Sequence, residues 1–255
     1  MTRRIRSSAA GASLILISML LAGCAVGATA PHPSGSASAG RTPTERPTPP
    51  VPFAAATTPA AIGTSATVDG AQAAVYSAPN GSVTETLPNP QASGAPLTFL
   101  VLAQQEGWLQ VALAQRPNGS TGWVQSNTVT LKNLQYSLQA STEQNTLSLY
   151  KNGALVKTYA AATGTGGTPT PHGSFYITEL LQPTNAGYGP YAFGLSAFSD
   201  VLSSFGGGPG QIGLHGTDDA SSIGQSASHG CIRLANPDIT ELAGLLPLGT
   251  PITIS

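Results

Sequence analysis

The sequence predicts a mainly β protein, in which a small barrel of short strands precedes a sandwich-like β domain with one short helix. Thr146, Ser148 and Tyr150 alternate with Leu147, Leu149 and Lys151, then Asn152-Gly153 marks a tight turn and Leu155 to Ala160 returns as a second strand. Upstream, five short β-like runs bounded by Gly, Pro and Asn fall within about 65 residues. Helical spacing of apolar residues follows Asn236-Pro237, at Ile239, Leu242, Leu245 and Leu246.

The first residues read as an export signal. Arg3, Arg4 and Arg6 precede the apolar run Ala12 to Leu21, far shorter than the roughly 20 residues a spanning helix needs. The run ends in Leu21-Ala22-Gly23-Cys24, which resembles the lipobox of bacterial lipoproteins; the resemblance implies that residues 1–23 are removed and Cys24 is lipidated, anchoring the protein to a membrane facing the cell wall. The alternative is an ordinary signal cut after Ala28-Thr29-Ala30, although Pro31 makes a poor cleavage site. Residues 24–64 are rich in Pro, Ala, Ser and Thr and cannot bury enough apolar surface to fold, so they read as an extended tether.

In residues 65–131, Ala73 to Ser77, Ser82 to Leu87, Leu97 to Ala103, Trp108 to Leu113 and Gly122 to Val124 are the expected strands. The Gly-Trp-Leu-Gln-Val and Gly-Trp-Val segments resemble bacterial SH3-like domains, which implies either binding of wall peptides or a core role for Trp108 and Trp123. Residues 132–255 continue as strands, with Gly173 to Glu179 and Pro251 to Ile254 among them and Asn236 expected to cap the helix. Charged residues make up only 8% of the chain. Without the signal arginines, seven basic residues face eleven acidic ones, and nothing basic suggests a nucleic-acid partner.

The chemistry-bearing stretch runs from His215 to Arg233. It contains two of the four histidines and one of the two cysteines. With Cys24 lipidated, Cys231 is the sole remaining thiol, so no intramolecular disulfide forms, and an unpaired exported cysteine points to a reactive group. A thiol attacks carbonyl carbon as the thiolate, and a nearby imidazole assists by taking the proton. His229 precedes Cys231 by two residues, but such a pair on a strand lies about 6 to 7 Å apart. Proton transfer needs about 3 Å. A histidine from a neighbouring strand approaches more directly, which favours His215, at the end of the apolar run Gln211 to Leu214. Zinc held by Cys231, His215 and His229 is the rival reading, with Asp218 or Asp219 as the fourth ligand, and an inert buried cysteine is another.

His215-Gly216-Thr217, twelve residues, then Ser228-His229-Gly230-Cys231-Ile232-Arg233 resembles the signature of the L,D-transpeptidases, also called the YkuD family. Thr170 to Phe175, Thr-Pro-x-Gly-x-Phe, resembles another segment of that family, with His172 at its variable position. The resemblance implies Cys231 as nucleophile, His215 as base, the Gly216 carbonyl fixing the tautomer, and amides near Gly230 and Cys231 forming an oxyanion hole. It implies a substrate-contacting role for His229; Ser228 and Arg233 are further candidates for substrate contact, and of the aromatics Tyr188 and Tyr191, Tyr191 is expected to wall the groove, with core packing as the alternative. Arg233 has an alternative as ion-pair partner of Asp218 or Asp219. The implied reaction joins third residues of two peptidoglycan stem peptides through a thioester, on a monomer needing no cofactor or metal. Hydrolysis through the same acyl-enzyme, attachment of another protein to the wall, and a non-catalytic wall-binding lipoprotein are the rivals.

Overall fold

The structure, a computed structural model, describes residues 62–255. The expected leader with Cys24, and the tether up to residue 61, lie outside the described residues. A first sheet is built from β1 (Thr64–Val68), β2 (Gln72–Tyr76), β3 (Val83–Pro88), β4 (Thr98–Gln105), β5 (Trp108–Ala112), β6 (Thr121–Gln125) and β7 (Val129–Asn133), in the order β3-β2-β6-β5-β4-β1-β7. Five of these are the expected strands. The other two, β1 and β7, pair with each other from Thr64↔Asn133 to Val68↔Val129, so their pairing is long-range and their mixed polar composition gives little local signal. Val75, Phe99, Leu109, Val111 and Val124 fill this sheet's core. Trp108 is buried, with the Tyr76 ring edge-on at 4.9 Å, and Trp123 is half-buried.

The second sheet contains β8 (Tyr136–Ser141), β9 (Thr146–Lys151), β10 (Ala154–Gly164), β11 (Gly173–Leu181), β12 (Ala192–Phe198), β13 (Gln211–His215), β14 (Ser226–Ser228), β15 (Ile232–Leu234) and β16 (Pro251–Ile254). Their order is β14-β10-β15-β13-β12-β11-β16-β8-β9. The first half of β10 pairs with β9 and its last residues pair with β15 and β14, so this long strand closes the sheet over one apolar core. The β9–β10 turn is the expected one: Asn152 and Gly153 both have positive φ, 51° and 81°, as a tight hairpin of this type requires.

The helix α1 (Asn236–Leu245) buries Ile239 and Leu242, and Leu246 just beyond it is also buried. Leu245, expected on the apolar face, is exposed: positions 239, 242 and 246 follow the helical period, and 245 falls to its edge. Lys157 at the start of β10 ties the helix down through Asp238 and Glu241, at 3.2 and 2.6 Å.

The two sheets meet through a small cluster of Leu100, Leu134 and Tyr176. The Tyr176 hydroxyl donates to the Ala112 carbonyl at 3.2 Å, and burial pushes its pKa upward. A second junction joins the β5–β6 loop to the segment between β12 and β13. Arg116 donates to the carbonyls of Ser199, Leu202 and Pro209 at 2.6, 2.8 and 3.1 Å. Asn118 mimics a strand partner, accepting from the Phe198 amide and donating to its carbonyl, both at 2.8 Å. Asn118→Ala leaves both Phe198 groups without these partners, so denaturant unfolding should show a loss of about 2 kcal/mol. Hydrogen exchange should rise first in residues 198–210.

Candidate functional site

Strands β13 and β15 run parallel and adjacent, with Leu214 opposite Ile232 and His215 opposite Arg233. That register brings Cys231, just ahead of β15, beside Gly213. The Gly213 amide donates to Cys231 Sγ at 3.3 Å. A Cβ built on Gly213 would stand 3.4 Å from His215 Cδ2 and 3.8 Å from Sγ, so ring and sulfur flank the same point above the glycine. The buried His215 ring is fixed by its Nδ1, 2.6 Å from the Gly216 carbonyl. Since a carbonyl only accepts, Nδ1 carries the proton, and Nε2, bonded to Cδ2, keeps a free lone pair.

Burial sets the resting charge of both groups. It pushes His215 down to about 4, against the opposing Gly216 hydrogen bond and helped by the Arg233 charge. It pushes the Cys231 thiol up, opposed by the Gly213 amide and by Arg233. The resting pair is therefore a neutral thiol beside a neutral imidazole. Such a pair can form a thiolate as the sulfur attacks, with the ring accepting the proton.

The turn before Cys231 is braced from within. Gly230 has φ of 117°, and a Cβ there would lie 3.0 Å from Ile212 Cδ1. Its amide donates to Ser228 Oγ at 3.1 Å, and that hydroxyl donates to the Cys231 carbonyl at 2.6 Å. Ser228, expected to touch substrate, is 1% exposed and is absent from the lining of the groove; its oxygen is committed to shaping the turn. Thr170 of the Thr-Pro-x-Gly-x-Phe segment donates to the Gly230 carbonyl and accepts from the Gly164 amide, both at 2.8 Å. On the other side of the site, Asn236 does not cap α1. Ala235 is the N-cap residue, and Asn236 Oδ1 instead accepts from the Thr217 amide at 2.9 Å. A Cβ on Gly216 would overlap that oxygen, which explains glycine after the histidine.

Cys231 and His215 face two connected cavities, of about 320 and 640 Å³, that share Asn185, Tyr188, Phe205 and Gly206. The smaller adds His229 and Arg233. The exposed His229 ring stacks on Phe205 at 5.2 Å, and Tyr188 leans on His215 at 4.6 Å between centroids. Tyr188 therefore takes the place expected of Tyr191, which packs against the main core and offers its carbonyl to the Gly216 amide at 3.2 Å. Arg233 pairs with neither Asp218 nor Asp219, since the ion pairs among the described residues are those of Lys157, and its Nε is buried without a protein partner. His172 sits apart, its Nε2 2.8 Å from Thr142 Oγ1. Among the described residues, no three His, Cys, Asp or Glu side chains are grouped to hold a metal ion.

Residues 135–254 match the family model of the L,D-transpeptidase catalytic domain, YkuD. The matched segment runs from just before β8 to the end of β16, and the first sheet lies outside it. Two proteins named L,D-transpeptidase YkuD are similar to it, from Bacillus licheniformis at 39% identity and from Bacillus subtilis at 37%, each over 120 residues, or 47% of this chain. The aligned region spans 66% of each relative, just under two thirds of its length. Among solved structures, an L,D-transpeptidase from Mycobacterium tuberculosis aligns at 18% identity with a TM-score of 0.40, over 55% of this chain and 74% of its own.

Two pH responses follow from the neutral pair. Alkylation of Cys231 by iodoacetamide should be slow at neutral pH and climb into the alkaline range, whereas a plateau already reached in mild acid would indicate a resting thiolate. Because the folded His215 value lies below its ordinary 6.5, the unfolded chain binds the proton first; the associated stability is complete above pH 6.5 and lost as pH falls towards about 4. The midpoint of thermal unfolding should fall as pH drops through that window, and less so in His215→Gln.

Proposed function

We propose that this protein is a peptidoglycan L,D-transpeptidase working through an acyl-enzyme on Cys231. The observation that carries the reading is the imidazole pinned by Gly216 with Nε2 free, on the strand next to the cysteine. The donor is a tetrapeptide stem, cleaved between its third residue and the terminal D-alanine. Cys231 Sγ attacks that carbonyl carbon while His215 Nε2 takes the thiol proton and returns it to the departing amine. The oxyanion is met by backbone amides at the Gly230–Cys231 turn. With the Gly230 amide engaged by Ser228, the Cys231 amide is the principal donor. A side-chain amine from the third residue of a second stem then attacks the thioester, giving a link between two third residues and restoring the thiol.

Arg233, supported by His229, holds a carboxylate of the stem in the smaller cavity, a charge-assisted contact. The first sheet is read as an SH3-like domain, and the chain as a lipoprotein anchored through Cys24 at the membrane face of the wall. Hydrolysis by water is the second outcome of the same acyl-enzyme.

Intact mass after exposure to a carbapenem should show one adduct on the wild type and none on Cys231→Ala, with His215→Ala acylated at least about 100-fold more slowly. With two labelled stems, a cross-linked product marks transfer and a shortened stem alone marks hydrolysis. Arg233→Ala should raise KM for the stem about 10- to 100-fold and leave alkylation of Cys231 by a small neutral reagent detectable. Absence of any adduct on the wild type overturns the reading.

A further inference from the structure

The larger cavity holds a group that the reaction above does not use. Glu179 on β11 lies opposite Gly194 on β12, and Gly194 lies opposite Gly213 on β13. Directly paired residues of antiparallel strands present their side chains on one face. Cys231 Sγ is on that face too, 3.8 Å from where a Gly213 Cβ would stand. Glu179, Gly194, Gly213 and Cys231 thus form a row across the sheet whose two middle members lack side chains. The result is a trough running from the sulfur to a carboxylate, and all four residues line the same cavity.

The Glu179 side chain is folded back along this trough, its Oε1 2.6 Å and its Cγ 2.7 Å from the point a Gly194 Cβ would occupy. It is the sole acid among the residues lining either cavity, and neither ion pair of the described residues includes it. The groove is consequently bipolar, with Arg233 at one end, Glu179 at the other and the nucleophile between them.

We propose that Glu179 recognises the side-chain ammonium of the donor stem's third residue, selecting donors that carry a cation there. The inference rests on the transpeptidase reading. Strands are spaced about 4.8 Å apart, so Glu179 stands two spacings, about 10 Å, from Gly213, less what its folded-back side chain recovers. An acceptor amine must come within about 3 to 3.5 Å of the thioester carbon, so an amine held at Glu179 is not the attacking one. The residue whose carbonyl is bound to Sγ meets the requirement: a compact ammonium on a flexible stem of about four carbons lies along the glycine floor and reaches the carboxylate.

The experiment measures acylation of Cys231 by intact mass with two donor tetrapeptides, one with a free side-chain amine and one N-acetylated there, on wild type, Glu179→Gln and Glu179→Lys. Wild type should prefer the free amine about 10- to 100-fold. Glu179→Gln should lose that preference while taking the acetylated donor at the wild-type rate, which also shows that it is folded. Glu179→Lys should disfavour the free amine further and accept a donor whose third side chain ends in a carboxylate. If Glu179→Gln keeps the wild-type preference, or slows only the later attack by the acceptor, the inference falls and the transpeptidase reading stands. If wild type takes no acyl group from either donor or from a carbapenem, both fall.

Discussion

The site is organised around the absence of a long side chain at position 213. Strand β13 carries Gly213 and His215 on one face, and the parallel neighbour β15 is entered through Cys231, so a Cβ at position 213 would already touch both ring and sulfur, and a longer side chain would come between them. The same residue's amide reaches Sγ at 3.3 Å and opposes the effect of burial on the thiol more strongly than the Arg233 charge does. One glycine therefore leaves open the space that ring and sulfur both border and supplies part of the electrostatic support for the sulfur.

Around this point, polar side chains act on backbone rather than on one another. Ser228 and Thr170 hold the turn at Gly230, and Asn236 holds the loop after Gly216. Buried polar groups of this kind are stabilising because each donor and acceptor is matched, and they fix position better than apolar packing alone. Arg233 Nε is the exception near the site, a buried donor without a protein partner two residues from Cys231.

The first sheet also bears on the groove, although no strand of it lines either cavity. Arg116 and Asn118 hold the segment from Phe198 to Pro209 by its backbone, and that segment carries Phe205, whose ring stacks on His229. One wall of the groove is thus positioned by hydrogen bonds from a different sheet. Glycines 206, 207 and 210, all at positive φ, give the segment little intrinsic rigidity, which is why those contacts matter.

Much of this was legible without coordinates. The Thr146–Lys151 alternation and Asn152-Gly153 specify a hairpin because side-chain period and turn geometry are local properties. His215, Cys231, Gly216 and Gly230 could be picked out because their residue types are tied to one chemistry at one spacing. Strands β1 and β7, whose pairing spans most of the first sheet's sequence, could not. Nor could the exchange of Tyr191 for Tyr188, the inward turn of Ser228, or the use of Asn236 as a brace, since each depends on which way a side chain faces once distant segments have packed. The sequence by itself determined the β character, through periodicity, and singled out Cys231 and His215, through chemical identity. Only the tertiary structure decided that Glu179, Gly194, Gly213 and Cys231 share one row, because that alignment is set by hydrogen-bond register between strands far apart in the chain.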